Sequence, residues 1–230
     1  MSVILGIDTS STDLGIGLHK DGKPLASVSR FVRNSHAEHI TEAVKMLLKL
    51  NSVDPSEVTH VAIPVGPGSF TGLRIGIAFV KGFCASNNRK VLPLSTLNVM
   101  AASFKTPVET RIFSAIDARN DEIYWASFSI KDGKMLRLSD DKISGIDELL
   151  ETSTPDDIII TDKMGFSRST IFKALENKRN TLAVENDPVH RGFVTSAIAS
   201  SFLDDSSLWC DAFELKPNYL RLSYAQKKAS

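Results

Sequence analysis

Two short segments of the sequence combine glycine, serine, threonine and aspartate in the manner of phosphate-binding turns. The first, GIDTSSTDLGIG (residues 6–17), follows an apolar run, and the second, VGPGSFTG (residues 65–72), precedes an apolar helical pattern. Backbone amides and hydroxyls in tight turns form concave sites for anions. We therefore expect a candidate nucleotide or anion site made of Asp8, Thr9, Ser10, Ser11, Gly66, Gly68 and Ser69.

Both turns lack the basic residue that neutralises phosphate charge in nucleotide hydrolases. The second turn does not end in the Gly-Lys-Ser/Thr of a Walker loop, and no lysine or arginine lies between Asp8 and Lys20. Two interpretations of the first turn stay open: a weak nucleotide contact, or a hairpin turn with capped polar ends. We expect no cofactor bound by this chain alone.

The sequence offers little for metal or nucleophilic catalysis. His36 and His39 are three positions apart and share a helix face, but the zincin signature His-Glu-x-x-His is absent. The segment is more typical of an exposed helix start with Glu38 as a capping residue. No Gly-x-Ser-x-Gly elbow occurs either. We expect no metal site and no catalytic residue.

Composition favours a globular protein that does not grip nucleic acid by itself. The 230 residues are 42% hydrophobic, and 27 basic residues balance 27 acidic ones. Proteins that bind nucleic acid alone usually carry a basic excess. No apolar run of about 18 residues suggests a membrane span. We expect a cytoplasmic chain with no membrane association and with Cys84 and Cys210 as reduced thiols.

The order of elements indicates a duplicated α/β fold. A strand ends at Asp8, and a hairpin turn follows at Gly22, 14 residues later; a second strand ends at Asp117, with the same KDGK turn 16 residues later at Gly133. We therefore predict two lobes, residues 1–106 and 107–230. Residues 134–155 are polar and irregular, and we expect connecting segments there.

Two amphipathic segments in the first half are predicted to be helices. One covers 36–50, with Ser35 and Glu38 spaced as a capping box. The other covers 69–82, is apolar almost all round, and is lined by Gly68, Gly72 and Gly76 at intervals of four. Glycine costs a helix about 1 kcal/mol relative to alanine. The spacing predicts either a phosphate turn or the close approach of a second helix.

Four motifs in matching order resemble the TsaB (YeaZ-like) family over nearly the whole chain. They are ILGIDTSS, VGPGSFTGLRIGIAFVKGF, DARNDEIYWASF and PNYLRLSYAQ. The resemblance implies a two-lobed actin-like (Hsp70-like) α/β fold with duplicated ribonuclease-H-like lobes. It also implies a non-catalytic role in making threonylcarbamoyladenosine next to the anticodon of tRNAs that read codons starting with A. The segment TDKMGFS retains only Gly165 of the superfamily's adenosine loop.

The same resemblance implies partners for the chain. These are TsaD, as a heterodimer that carries out the transfer, and the ATPase TsaE, with ATP or ADP in the complex and tRNA reached only through it. Alone, the chain is expected to form homodimers. Alternative functions are a glycoprotease-like metallopeptidase and an ATP-dependent kinase or ATPase of the actin-like superfamily.

The resemblance also implies roles for particular residues. Asp117, Arg119 and Glu122 match the family's DAR…E motif, with a structural role. Arg74 is expected to anchor an acidic group of the partner; the alternative is a surface arginine at a helix flank. Gly72→Leu and Arg74→Glu are expected to disrupt binding while leaving the fold largely intact. The expected partner-binding residues are His36, His39, Ile40, Ala43, Leu47, Phe70, Gly72, Leu73, Arg74, Gly76, Ile77 and Val80.

Overall fold

The computed structural model describes residues 1–32, 35–87, 89–106, 108–162, 182–186 and 190–220. The predicted adenosine-loop segment TDKMGFS after Asp162, and the tail motif after Leu220, lie outside these residues. The chain divides into two compact units. Unit 1 comprises Met1–Val99 and Asp187–Pro217, and unit 2 comprises Met100–Asn186 and Asn218–Ser230. The predicted division at 106/107 differs from this one, because a late segment of the chain returns to unit 1.

Unit 1 is built on a six-stranded mixed sheet of order β12-β5-β4-β1-β2-β3. The first three strands form an antiparallel meander, and β4 and β5 continue the sheet in parallel from β1. Asp21 and Gly22 take positive φ in the turn between β2 and β3, as the hairpin signal predicts. The strands are β1 (Val3–Asp8), β2 (Asp13–Lys20), β3 (Lys23–Phe31), β4 (His60–Gly66), β5 (Lys90–Ser95) and β12 (Cys210–Asp211).

Two long helices cover one face of this sheet, α1 (His36–Leu50) and α2 (Phe70–Cys84). Their apolar positions recur at helical spacing and form one core with the side chains of β1 and β2. Within the described residues, the further α-helices are α3 (Thr96–Ser103), α4 (Ile146–Thr152) and α5 (Arg191–Ser201).

Glycines on β1 and β2 explain why α5 belongs to unit 1. A Cβ on Gly15 would stand 2.7 Å from the backbone nitrogen of Gly192 in α5, and one on Gly6 would stand 2.5 Å from the backbone nitrogen of Ser196. The backbone of α5 therefore lies almost directly on the sheet, opposite α1 and α2. No larger residue fits at this contact without a shift of the helix.

Unit 2 repeats the strand order of unit 1. Its sheet runs β11-β10-β6-β7-β8, with β9 also paired to β7, which corresponds to β5-β4-β1-β2-β3. The KDGK turn recurs too, because Asp132 and Gly133 take positive φ. This confirms the predicted duplicated, two-lobed actin-like α/β fold. The strands are β6 (Thr110–Arg119), β7 (Glu122–Lys131), β8 (Lys134–Arg137), β9 (Lys142–Gly145), β10 (Ile158–Thr161) and β11 (Leu182–Glu185).

Two local predictions are wrong. Residues 134–155, expected to be irregular, contain β8, β9 and α4, because four-residue strands are too short to show alternation and gain their order by pairing with β7. The capping box at Ser35 does not form, since the Ser35 hydroxyl donates to the carbonyl of Val32 instead. Among the described residues, no helix is long and apolar enough to cross a bilayer.

Candidate functional site

The turn between β1 and β2 is closed by its own hydrogen bonds. Asp8 ends β1 and is buried; its Oδ1 accepts from the Ser10 amide at 2.7 Å and from the Ser10 hydroxyl at 2.6 Å. Asp8 Oδ2 and Thr9 Oγ1 are also buried, and neither has a hydrogen-bond partner among the described residues. The Asp8 carboxylate thus holds the turn closed through its Oδ1 atom.

The turn between β4 and α2 is bonded to the β1–β2 turn. The Ser69 amide donates to the carbonyl of Ser10 at 2.8 Å, and the Ser69 hydroxyl caps α2 by accepting from the Gly72 amide at 3.2 Å. A Cβ on Gly68 would stand 2.5 Å from the Ser10 carbonyl oxygen. The Ser10 and Ser69 groups that sequence assigned to an anion are therefore engaged within the chain.

The glycines inside α2 accommodate Thr9. A Cβ on Gly72 would overlap the Thr9 carbonyl oxygen, and one on Gly76 would overlap Thr9 Oγ1. The expectation that these glycines admit a second helix is corrected here, because the group that approaches them is the chain's own β1–β2 turn. Gly72→Leu would consequently displace the Thr9 backbone, which argues against the expectation that it leaves the fold largely intact.

His36, the first residue of α1, contacts the start of β2, directly after the β1–β2 turn. Its side chain is buried, with Nε2 3.4 Å from the Asp13 carbonyl oxygen. Burial lowers the pKa of His36, while the hydrogen bond to Asp13 and the charges of Asp8 and Asp13 act in the opposite direction. His36 is therefore a neutral internal contact and not the exposed helix-start residue that the sequence suggested.

The outer side of α2 carries a different line of residues. Phe70, Arg74, Ala78 and Gly82 follow one another at intervals of four and are all exposed. The Arg74 guanidinium carbon lies 3.7 Å from the centre of the Phe70 ring, within cation–π distance. Gly82 has helical backbone, and a Cβ built on it meets no atom within 4 Å.

Helix α1 also carries exposed apolar side chains. Met46 is 46% exposed and Leu50 is 74% exposed, while Phe70 on α2 is 55% exposed. These two helices also contact each other. We call the following set the outer surface: Met46, Leu50, Phe70, Arg74, Ala78 and Gly82.

In unit 2, the DAR…E residues form the β6–β7 turn. The Arg119 amide donates to Asp117 Oδ1 at 2.6 Å, and Arg119 pairs with Glu122 across the hairpin. Arg119, Asn120 and Asp121 all take positive φ, which is uncommon for residues with side chains. The three motif residues therefore lie together in a backbone turn.

The clusters required for metal chemistry are not found in the part of the chain that the structure describes. No group of three or more histidine, cysteine, aspartate or glutamate side chains there could hold a metal ion. The Cys84 thiol is buried, and burial raises its pKa to about 11; burial also raises the pKa of Cys210. Both thiols are thus poor nucleophiles.

Comparison with known proteins gives a consistent result. A family model described as TsaD, tRNA N6-adenosine threonylcarbamoyltransferase, matches residues 28–206. The tRNA threonylcarbamoyladenosine biosynthesis protein TsaB of Bacillus subtilis is 26% identical over 98% of this chain and 96% of that protein. The chain belongs to the TsaB (YeaZ-like) family.

Two further matches agree with this assignment. TsaB of Escherichia coli is 34% identical over 54% of this chain and 54% of that protein. The solved structure of YeaZ from Pseudomonas aeruginosa superposes with a TM-score of 0.78 at 26% identity, and covers 96% of this chain and 100% of that one. The likeness to YeaZ therefore extends over nearly the whole length of the chain.

Within the TsaB-like fold, most of the residues expected to bind a partner are internal. Their spacing identified the apolar stripe of each helix correctly, but these stripes pack on the sheet of unit 1. Phe70 and Arg74 are exposed as expected, and His39 and Ala43 are half-buried. The buried ones are His36, Ile40, Leu47, Gly72, Leu73, Gly76, Ile77 and Val80.

Sequence reasoning missed four members of the outer surface: Met46, Leu50, Ala78 and Gly82. A signal for Gly82 was present, since it is a helical glycine ten positions after Gly72 and therefore lies at a different angle around the helix axis. Gly72 and Gly76 occupy the inner face, whereas Gly82 occupies the outer one. The sequence alone did not distinguish these two sets.

Proposed function

We propose that this chain acts in tRNA threonylcarbamoyladenosine biosynthesis as a non-catalytic subunit that binds TsaD through its outer surface. The modified adenosine lies next to the anticodon of tRNAs that read codons starting with A. TsaD carries out the transfer and TsaE joins the assembly, while tRNA is contacted through the complex. Membership of the TsaB family supports the pathway, and the outer surface supports the mode of binding.

The single observation that supports this binding mode is that an exposed position of α2 is a glycine, Gly82. Glycine in an exposed helix costs about 1 kcal/mol relative to alanine. Gly82 has no positive φ, and a Cβ there would meet nothing within 4 Å, so the chain's own packing does not require it. A partner whose backbone approaches α2 closely would explain why position 82 is a glycine.

The other outer residues fit a protein partner. Phenylalanine and arginine, the residue types of Phe70 and Arg74, are enriched at protein interfaces, and Met46 and Leu50 are further exposed apolar side chains on α1. Arg74 stacks on Phe70, so a partner carboxylate could approach the guanidinium without first ordering a free side chain. The proposal therefore predicts an acidic residue of TsaD opposite Arg74.

We further propose that the chain alone holds no nucleotide and that ATP or ADP is bound only in the complex. The reason lies in the two turns, where the Ser10 and Ser69 hydroxyls and the Ser69 amide already have partners within the chain. Calorimetric titration of the purified chain with ATP and Mg²⁺ is expected to give no heat of binding. Saturable binding in the micromolar range would contradict this part of the proposal.

Paired glycine substitutions test the binding mode. Gly82→Leu is expected to weaken TsaD binding at least tenfold in calorimetry or surface binding. Gly145→Leu is the matched control, because Gly145 in unit 2 is also exposed, has no positive φ and leaves space for a Cβ. Wild-type affinity for Gly82→Leu, or equal loss in both variants, would contradict docking at the outer surface.

In the absence of TsaD, we propose that the same surface forms a homodimer. An exposed apolar surface favours self-association when its partner is missing. Sedimentation of the isolated chain should then show a dimer that Gly82→Leu dissociates and Gly145→Leu does not. A homodimer unaffected by Gly82→Leu would place the self-contact elsewhere.

A further inference from the structure

The two helices that carry the outer surface run in the same direction. The next strand after α1 is β4 and the next after α2 is β5, and these strands are parallel, so each helix returns the chain to the same end of the sheet. Both helices also begin beside the β1–β2 turn, where His36 contacts the Asp13 carbonyl and the Ser69 amide donates to the Ser10 carbonyl. Residues at equal distances from these two starting points therefore lie level with each other.

The outward residues of α2 divide by size along this direction. Phe70 and Arg74 lie in the first half, whereas Ala78 and Gly82 lie in the second, and all four are exposed. When a second copy faces this helix in the antiparallel direction, each large side chain meets a small residue, with Phe70 opposite Gly82 and Arg74 opposite Ala78. A Cβ on Gly82 would meet no atom within 4 Å in the single chain, so the position has room for an incoming ring.

The outward residues of α1 divide by charge along the same direction. Glu38 and Glu42 lie in the first half and Lys45 and Lys49 in the second, and all four are exposed. None of the ion pairs within the described residues involves them. Antiparallel pairing with a second copy brings Glu38 opposite Lys49 and Glu42 opposite Lys45, so that opposite charges meet.

One twofold axis satisfies both sets of contacts. The pairs on α1 are centred between Ala43 and Val44, and the pairs on α2 are centred on Gly76. The first centre lies between seven and eight residues after His36, and the second lies seven residues after Ser69. Counted from the β1–β2 turn, the two centres therefore differ by roughly 1 Å along the helices. A shared centre is what a symmetric contact between identical surfaces requires.

We propose that the outer surface is self-complementary and forms an antiparallel homodimer, in which the Phe70 ring of each copy lies on Gly82 of the other. This inference rests on the self-association proposed above. The other symmetric arrangement, with the helices of the two copies parallel, places α1 of one copy on α2 of the second. There Phe70 does not reach Gly82, and Lys45 and Lys49 approach Lys81 of the second copy, where like charges repel.

Charge reversal tests the pairing on α1. Two double variants are compared: Glu38→Lys with Glu42→Lys, and Lys45→Glu with Lys49→Glu. Each variant alone places like charges opposite one another and is expected to weaken self-association at least tenfold in sedimentation at low salt. An equimolar mixture should recover the wild-type association constant within about threefold, because every facing pair is then of opposite charge. Lys131→Glu with Lys134→Glu, at exposed positions of unit 2, is the control and should not change self-association.

Size exchange tests the pairing on α2. Gly82→Leu is expected to dissociate the homodimer, and Phe70→Ala is expected to weaken it. Mixed in equal amounts, these two variants should form a heterodimer of nearly wild-type affinity, because the leucine then meets the shortened side chain at position 70 and the other contact keeps its native pair. Labelled Gly82→Leu should not enter a heterodimer with Gly145→Leu, which keeps Phe70.

The outcomes separate this inference from the self-association on which it rests. A wild-type dimer that Gly82→Leu dissociates, but with no recovery in the mixtures of folded variants, would overturn the antiparallel pairing and leave the outer surface as the contact. A wild-type chain that stays monomeric would overturn the homodimer and its pairing together. The charge and size mixtures use different residues, so one of them decides the question if a variant of the other does not fold.

Discussion

Thr9 and Gly76 lie against each other so closely that the Thr9 hydroxyl occupies the space a Gly76 side chain would fill. Gly72, one turn earlier in α2, receives the Thr9 carbonyl in the same way. The glycines whose spacing resembles that of a phosphate-binding helix thus make room for the chain's own β1–β2 turn. Gly82, on the opposite side of α2, has no such neighbour.

Alanine at Gly76 and at Gly82 should have opposite effects on stability. Gly76→Ala forces a methyl group into Thr9 and is expected to lower the free energy of unfolding by about 1–3 kcal/mol. Gly82→Ala adds a helix-favouring residue in open space and is expected to raise it by about 1 kcal/mol. Urea unfolding of both variants decides the point. A stabilising Gly76→Ala would contradict the close contact with Thr9.

Phe70→Ala should weaken TsaD binding by roughly 2 kcal/mol, a factor of about thirty, because exposed aromatic residues at an interface contribute strongly. The control is Phe202→Ala, which removes an aromatic ring of similar exposure, 40% against 55% for Phe70, outside the outer surface. The dissociation constants of both variants, measured side by side, test the assignment. A larger effect from Phe202→Ala would relocate the interface.

Arg89 links the end of α2 to the segment before β4 by hydrogen bonds. Its guanidinium donates to the carbonyls of Val58 at 2.8 Å, of Pro55 at 2.6 Å and of Phe83. Arg89→Lys cannot reach all three acceptors and should lower the free energy of unfolding by about 2 kcal/mol. Arg30→Lys, an exposed arginine on β3, is the control and should change it by less than about 0.5 kcal/mol.

Stability should rise with pH between the folded-state pKa of His19 and its ordinary value of 6.5. Burial lowers the pKa of His19, whose Nδ1 lies 2.9 Å from Ser196 Oγ. Between these two pKa values the unfolded chain therefore binds more protons than the folded chain, and acid favours unfolding. His36 and His60 have pKa values lowered by burial in the same direction.

Replacing His19 should flatten this pH profile. The difference in unfolding free energy between pH 7.5 and pH 5.5 is expected to be smaller in His19→Gln than in wild type. An unaltered profile in His19→Gln would show that His19 does not contribute to the acid sensitivity.

The sequence predicted the main elements well where apolar periodicity was strong. The helix expected at 36–50 is observed at His36–Leu50, and the one expected at 69–82 is observed at Phe70–Cys84. The repeated KDGK turn correctly indicated duplicated sheets, since Asp-Gly at a two-residue turn requires the positive φ that both copies show. Local signals of this kind need no knowledge of tertiary contacts.

The sequence could not predict what the apolar face of each helix packs against. Helical spacing shows that Ile40, Leu47 and Ile77 share apolar stripes, but not whether a stripe meets a sheet or a partner. The packing of α5 on the sheet of unit 1 could not be predicted either, because its contact with Gly6 and Gly15 joins residues about 180 positions apart. A glycine in a strand indicates that another backbone approaches closely, but it does not show which element that backbone belongs to.

The most direct test of the central claim is reconstitution of tRNA modification with TsaD, TsaE and the enzyme that supplies threonylcarbamoyl-adenylate. Threonylcarbamoyladenosine is measured by mass spectrometry of nucleosides from the treated tRNA. Full modification is expected with the wild-type chain and with Gly145→Leu, at least tenfold less with Gly82→Leu, and almost none when the chain is omitted. Equal modification with and without the chain would contradict the account.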